Sequence, residues 1–214
     1  MMRARTAGFT IVELLMAIGI LALLMGIVTT VASGAIRQSR EQKTKALKDV
    51  LQNGLATYRA QNDEWPGKLK AWATDGLPDA TRRADALDSD DYDKVLEELV
   101  KSSVKADAVP LMDMTGFPVA PRSALGKGAQ KVPSQTFSEA VKKNKKRGTT
   151  YRVSQLAFGY LTADGRFCRF LLLYNADTDS VTVMTRWDYE TWWKTAYAGD
   201  SGKANKVEWP KGYE

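Results

Sequence analysis

Twenty-three consecutive residues, Leu14 to Ile36, carry no charge. In a helix such a run rises about 34 Å, enough to cross a hydrocarbon core of about 30 Å. No similar run follows in the 214 residues, so a single span and one domain of ordinary size are expected. The composition, 44% hydrophobic and 26% charged, predicts that most of the remainder folds. Two absences narrow the chemistry. The chain has no histidine, which removes Ser-His-Asp and Cys-His catalysis and every His-ligated metal site. Its one cysteine, Cys168, excludes an intramolecular disulfide, a CxxC redox pair and a Cys-rich zinc site. A net charge of +6 permits anionic partners without demanding one.

Three readings of the amino-terminal segment compete. A secretory signal peptide would have the basic start that Arg3 and Arg5 supply, but its apolar core would be shorter, roughly 7–15 residues. A plain membrane anchor accounts for the length but not for Glu13, a carboxylate at the head of the span. Such a charge costs about 2.5–3.5 kcal/mol at the centre of a membrane helix and less near an interface.

The third reading gives Glu13 a use. Gly8-Phe9-Thr10-Ile11-Val12-Glu13-Leu14-Leu15-Met16-Ala17-Ile18 resembles the amino-terminal motif of the type IV pilin and type II secretion pseudopilin family. The resemblance implies a leader, residues 1–8, cut after Gly8 on the cytoplasmic side by a membrane peptidase. Phe9 then becomes the new amino terminus and is N-methylated, and Glu13 is the assembly glutamate that meets the freed amine of a neighbouring subunit. Such a pair sets register more than stability, because desolvation offsets much of its attraction. Gly19, Gly26 and Gly34 read as ordinary membrane-helix composition rather than as packing notches. Many relatives carry a proline midway along this helix; here there is none, and Thr29-Thr30 or Gly34 would be the weak points if the helix unwinds during assembly. Counting positive charges would keep the large domain in the cytoplasm, since Arg37, Arg40, Lys43, Lys45 and Lys48 follow the span. The cleavage motif puts the leader on that side instead, and this orientation is the one expected.

The helix is expected to continue beyond the membrane. Residues 9–36 form its transmembrane and assembly half, and residues 37–62 its amphipathic half. Leu47, Val50, Leu51, Gly54, Leu55 and Tyr58 make one apolar stripe, and Trp65-Pro66-Gly67 ends the helix near Asn62. Tyr58 to Pro66 is similar to the helix-end segment of major pseudopilins. Residues 63–148 read as a variable helix and loop region. Within it, Asp90 or Asp91 caps a helix whose face is Tyr92, Val95, Leu96, Leu99 and Val100, with Glu97 and Lys101 paired; a shorter helix starts at Pro78. Leu111 to Pro121 reads as an ordered loop. Its Asp113-Met114-Thr115-Gly116-Phe117-Pro118 is similar to the Asp-Pro-Trp-Gly-x-Pro loop of major pseudopilins, without the first proline and the tryptophan. Residues 149–186 predict a three-stranded antiparallel meander, with strands at Tyr151–Leu161, Arg166–Tyr174 and Ser180–Thr185. Residues 187–214 form an aromatic tail with a short helix covering a sheet edge.

Few constellations suggest chemistry. Asp177 and Asp179 share a hairpin loop and are the candidates for a calcium ion, which needs about six to eight oxygens; a polar turn is the simpler reading. Asp88 to Asp91 reads as a helix start. Lys142 to Arg147 is the densest basic cluster, but no aromatic residues interleave it, so it reads as a solvated loop and no nucleic acid is expected as a partner. Trp192-Trp193 reads as packing, and Cys168 as a small buried hydrophobe. No P-loop, nucleophile elbow or supported acid–base pair occurs.

The expected fold is therefore α+β, pilin-like: a long amino-terminal helix packed on a small antiparallel sheet, with a helical and loop insertion before the sheet. The resemblance implies a structural subunit of a type II secretion pseudopilus or related type IV filament, not an enzyme, and no cofactor is expected apart from the calcium candidate at Asp177 and Asp179. Its partners would be the prepilin peptidase and methyltransferase, copies of itself and other pseudopilins, and an inner-membrane assembly platform. It would sit in a bacterial inner membrane by one pass, with the carboxy-terminal domain in the periplasm. The competing class is a membrane-anchored extracytoplasmic binding domain with a non-pilin signal anchor.

Overall fold

The computed structural model describes residues 10–75, 84–103, 111–126, 128–132, 134–140 and 155–213. Gly8, Phe9, the helix start at Pro78, the basic cluster Lys142–Arg147 and the beginning of the strand at Tyr151 lie outside the described residues. The chain divides into two compact units, one through Ser39 and one from Arg40 onward.

The described part of the first unit is helical. Helix α1 (Ile11–Asn62) begins there and is long and apolar enough to cross a membrane. Its large apolar side chains from Ile11 to Ile36 are 50–78% exposed, the pattern of a helix that finds its apolar surroundings outside its own chain. The polar side chains in this stretch turn inward on the helix. Thr29 donates to the carbonyls of Met25 and Gly26, Thr30 to those of Gly26 and Ile27, and Ser33 to that of Thr30. Such bonds remove the hydroxyls' need for water. The helix is unbroken at Thr29-Thr30 and at Gly34.

In the second unit the remainder of α1 buries the expected stripe, Leu47, Leu51, Gly54, Leu55 and Tyr58, with Val50 partly buried. A Cβ at Gly54 would come within 2.6 Å of Met112 Sδ, so a larger residue here would require the Met112 side chain to shift. The helix ends at Asn62, and Asp63 takes the left-handed conformation (φ 55°) that closes many helices. Helix α2 (Gly67–Asp75), which periodicity did not reveal, follows at once and buries Leu69 and Trp72. Helix α3 (Ser89–Ser103) buries Tyr92, Val95, Leu96, Leu99 and Val100, and Lys101 pairs with Glu97 at 2.8 Å, as expected. Asp90 and Asp91 lie in its first turn rather than before it, where they still complement the helix dipole.

The strands differ from the expected meander. Among the described residues they form three small antiparallel sheets. Strands β1 (Ala84–Ala86), β7 (Leu171–Asn175) and β8 (Ser180–Met184) make one, ordered β1-β7-β8, with Leu171 opposite Met184 and Asn175 opposite Ser180. Strands β2 (Pro118–Pro121), β3 (Gln135–Thr136) and β4 (Leu156–Phe158) make the second, ordered β3-β2-β4. Strands β5 (Tyr160–Leu161) and β6 (Phe167–Cys168) pair as the third. The β7–β8 hairpin turns where it was expected, but the strand expected over Arg166–Tyr174 divides into β6 and β7, which lie in different sheets. The strand expected at 151–161 breaks at Gly159, where a Cβ would collide with the Cys168 carbonyl, so β4 pairs with β2 while β5 pairs with β6. The loop expected over Leu111–Pro121 accordingly ends in a strand bounded by two prolines.

The aromatic tail also differs. Helix α4 (Arg186–Ala196) opens with a capping box between Thr185 and Asp188. Its Tyr189 and Trp193 pack on Ala86, Leu171 and Leu173, which cover one face of the β1-β7-β8 sheet rather than an edge. Leu172, Tyr174, Val181 and Val183 face the other way, into the core that holds the α1 stripe. The uninterrupted apolar run Leu171-Leu172-Leu173-Tyr174 is the mark of a strand covered on both sides. The chain end folds back on α3: Ser89 N–H donates to Lys211 O at 3.0 Å, and Tyr213 Oη–H donates to Phe170 O at 2.7 Å. An antiparallel sheet packed against the carboxy-terminal part of a long amino-terminal helix is an α+β arrangement, pilin-like in general form.

Candidate functional site

Glu13 is the first site residue within the described chain. Thr10 N–H and Thr10 Oγ1–H both donate to Glu13 Oε2 at 2.9 Å, and Glu13 N–H donates to Thr10 Oγ1 at 3.3 Å. This is a capping box, Thr-x-x-Glu, and it starts α1. The signature is readable in Thr10-Ile11-Val12-Glu13 but was overshadowed by the charge of Glu13. It gives the carboxylate two donors in its own chain, and it leaves the negative charge without a counter-charge among the described residues. Glu13 therefore serves α1 locally and still has a charge available for a cation.

Asp179 is committed elsewhere. Trp65 Nε1–H and Tyr174 Oη–H donate to its Oδ1 at 2.7 and 3.0 Å, and Arg59 Nη2 donates to Oδ2 at 3.0 Å. Arg59 thus places a positive charge beside the carboxylate that would serve a calcium ion. Among the described residues no group of three or more His, Cys, Asp or Glu side chains comes together to hold a metal ion. Asp177 N–H and Thr178 N–H donate to Asn175 Oδ1, an Asx turn that shapes the same hairpin. Burial pushes the Asp179 carboxyl up, but the hydrogen bonds from Trp65, Tyr174 and Arg59 outweigh it and hold it below the usual carboxylate range. A carboxyl depressed in the folded state stabilises above its unfolded pKa near 4, and that contribution fades as pH falls through the folded value. Asp179→Ala is expected to lower stability at neutral pH by about 1–3 kcal/mol, because Trp65 and Tyr174 lose an acceptor in a buried setting. Urea titrations at pH 7 and pH 3 check this: the difference from the parent should shrink at pH 3.

Two further clusters were missed in the sequence. Asp93, on α3 and 2% exposed, meets Arg169 Nη2 at 3.1 Å and Arg122 Nε at 3.3 Å through its Oδ2. Nothing in local spacing joins residues 93, 122 and 169. The second cluster did have a signal. Arg40, Thr44, Lys48 and Gln52 recur every four residues on α1. Arg40 donates to Ala163 O at 2.9 Å, Thr44 to Leu161 O at 3.2 Å, and Lys48 Nζ to Asp188 Oδ2 at 2.7 Å. Gln52 donates to Val181 O at 2.6 Å and accepts from Val183 N–H at 2.8 Å, covering the open edge of β8. The helix is therefore held to the sheets by a polar row beside its apolar stripe.

Cys168 is buried, and Trp193 packs in the tail cluster, as read from the sequence; Trp192 is partly buried against the same cluster. Residues 3–29 match the family model described as the prokaryotic N-terminal methylation motif. Comparison with curated proteins finds no match, and comparison with solved structures finds none. The methylation motif and the exposed apolar helix together are consistent with a prepilin-like protein anchored in a membrane by a single helix.

Proposed function

We propose that the chain is a prepilin, cut after Gly8, N-methylated at Phe9 and assembled through Glu13 into a helical filament. The observation that carries this reading is the methylation motif at residues 3–29 running without a break into an apolar helix exposed on every side. A type II secretion pseudopilus is preferred over an adhesive or motile pilus. The support is the Tyr58–Pro66 segment, the Asp113–Pro118 loop and a lone cysteine that rules out the carboxy-terminal disulfide common in pilins. The function is mechanical: subunits added at the base push or scaffold export, and the chain performs no catalysis. The peptidase and methyltransferase, other pseudopilins and an inner-membrane platform would be its partners, with the second unit in the periplasm. Mass spectrometry of the mature protein tests the reading directly. The expected terminus is methyl-Phe9, or Phe9 where methylation is incomplete; any other terminus overturns it.

A further inference from the structure

The polar row along α1 is uneven within the second unit. Lys48 and Gln52 stand beside the buried Leu47 and Leu51 and reach the Asp188 carboxylate and the edge of β8. Arg40 and Thr44 stand before Leu47, the first buried residue of the helix. From Arg40 to Ala46 only these two side chains are half-buried, and the rest are exposed. Both reach one element, the β5–β6 hairpin, through Ala163 O at 2.9 Å and Leu161 O at 3.2 Å. The second bond is long for a hydroxyl donor.

We propose that Arg40 and Thr44 form a releasable clasp: residues 40–46 of α1 swing away from the β5–β6 hairpin about a pivot at Leu47, while the apolar stripe stays buried. Three features argue for release at this place. Each part holds its own shape without the other, the helix by its backbone ladder and the hairpin by Thr162 N–H to Arg166 O and Gly165 N–H to Thr162 O, both 2.8 Å. Release uncovers no buried side chain of the helix, and the two carbonyls belong to half-buried residues, where water can replace the departing donors. The Arg40 guanidinium also lies against Gly165, whose φ of 83° turns the hairpin, so bare backbone rather than an interlocking side chain meets it there. Segments with few buried apolar contacts are those that open without global unfolding.

The clasp does not depend on processing at Gly8, so its failure leaves the terminus experiment untouched. The full chain in detergent is spin-labelled at Gln42→Cys and Thr191→Cys, two exposed positions of the second unit, and the buried Cys168 stays unlabelled. Double electron–electron resonance reads the distance between the labels. The expected result is one main distance with a minor second population of about one-tenth or less. In the Arg40→Ala, Thr44→Val variant the ratio of second to first population rises about tenfold or more, because a hydrogen bond from a charged donor and one from a hydroxyl are lost. A second pair of labels, Asn53→Cys and Thr191→Cys, places the helix label beyond the pivot, and its distance is expected to stay the same in both backgrounds. A Gln42 distance that the double variant leaves unchanged overturns the proposal. So does an Asn53 distance that changes with it, since the whole helix would then be leaving the sheet.

Discussion

Glu13→Ala is expected to leave cleavage after Gly8 within about twofold of the parent and to reduce filament yield at least about tenfold, the equivalent of about 1.4 kcal/mol per assembly contact. Alanine removes two things at once: the acceptor for Thr10 in the capping box and the negative charge proposed to meet a neighbour's new amine. Glu13→Gln separates them. A glutamine oxygen can still accept from Thr10 N–H, so the helix start survives, but the charge is gone. If charge recognition drives assembly, both variants lose filament while both remain cleaved and membrane-bound. If the cap alone matters, the glutamine variant assembles like the parent, and the proposed pairing between subunits fails. Sheared filament yield and immunoblots of processed chain give the two readouts.

Elements held by local pattern were legible in the sequence, and those held by distant partners were not. The stripe from Leu47 to Tyr58 and the face from Tyr92 to Val100 are periodic, and each is buried as its spacing implies. The hairpin around Asn175–Asp179 has turn residues between two apolar runs and folds accordingly. The first strand of the expected meander failed because Gly159 lets the chain pass against the Cys168 carbonyl, and no single-strand pattern announces that approach. Strand β1 is three residues long and owes its existence to β7, a partner 87 residues away in register at Ala86 and Leu173. Short strands carry too few side chains to show a period.

The candidate site divides in the same way. Glu13 and the span after it are a contiguous motif, legible from the order of residues alone. Neither reading of Asp179, polar turn or calcium candidate, contains Trp65, Tyr174 and Arg59, which converge on it from the segment after α1, from β7 and from α1. Convergence of this kind is a property of the tertiary fold. The i, i+4 row from Arg40 to Gln52 is an intermediate case: its spacing is visible, but polar residues at that spacing usually face water, and only the strand edges and the Asp188 carboxylate beside them show why these do not.

Arg169→Met is expected to destabilise the second unit by about 3–5 kcal/mol at pH 7, the usual cost of removing one partner from a buried ion pair. The cluster is incompletely satisfied even in the parent, since Asp93 Oδ1 and Arg169 Nε have no hydrogen-bond partner among the described residues. Burial pushes the Asp93 carboxyl up to about 6 against the pull of the Arg169 and Arg122 guanidiniums. A carboxyl that sits higher in the folded state than its unfolded value near 4 binds its proton more tightly when folded. Its charged form therefore costs stability as pH rises from about 4 through 6. Arg169→Met removes the larger of the two pulls that lower this value, so the folded pKa climbs further and the cost at neutral pH grows. Acidification to pH 5 then protonates Asp93 in the variant and returns part of the loss. Urea unfolding of the full chain in detergent, followed by tryptophan fluorescence at pH 7 and pH 5, should show the gap to the parent narrowing at the lower pH. A gap that stays constant would mean that Asp93 keeps its charge when Arg169 is gone, with Arg122 alone sufficient to hold it.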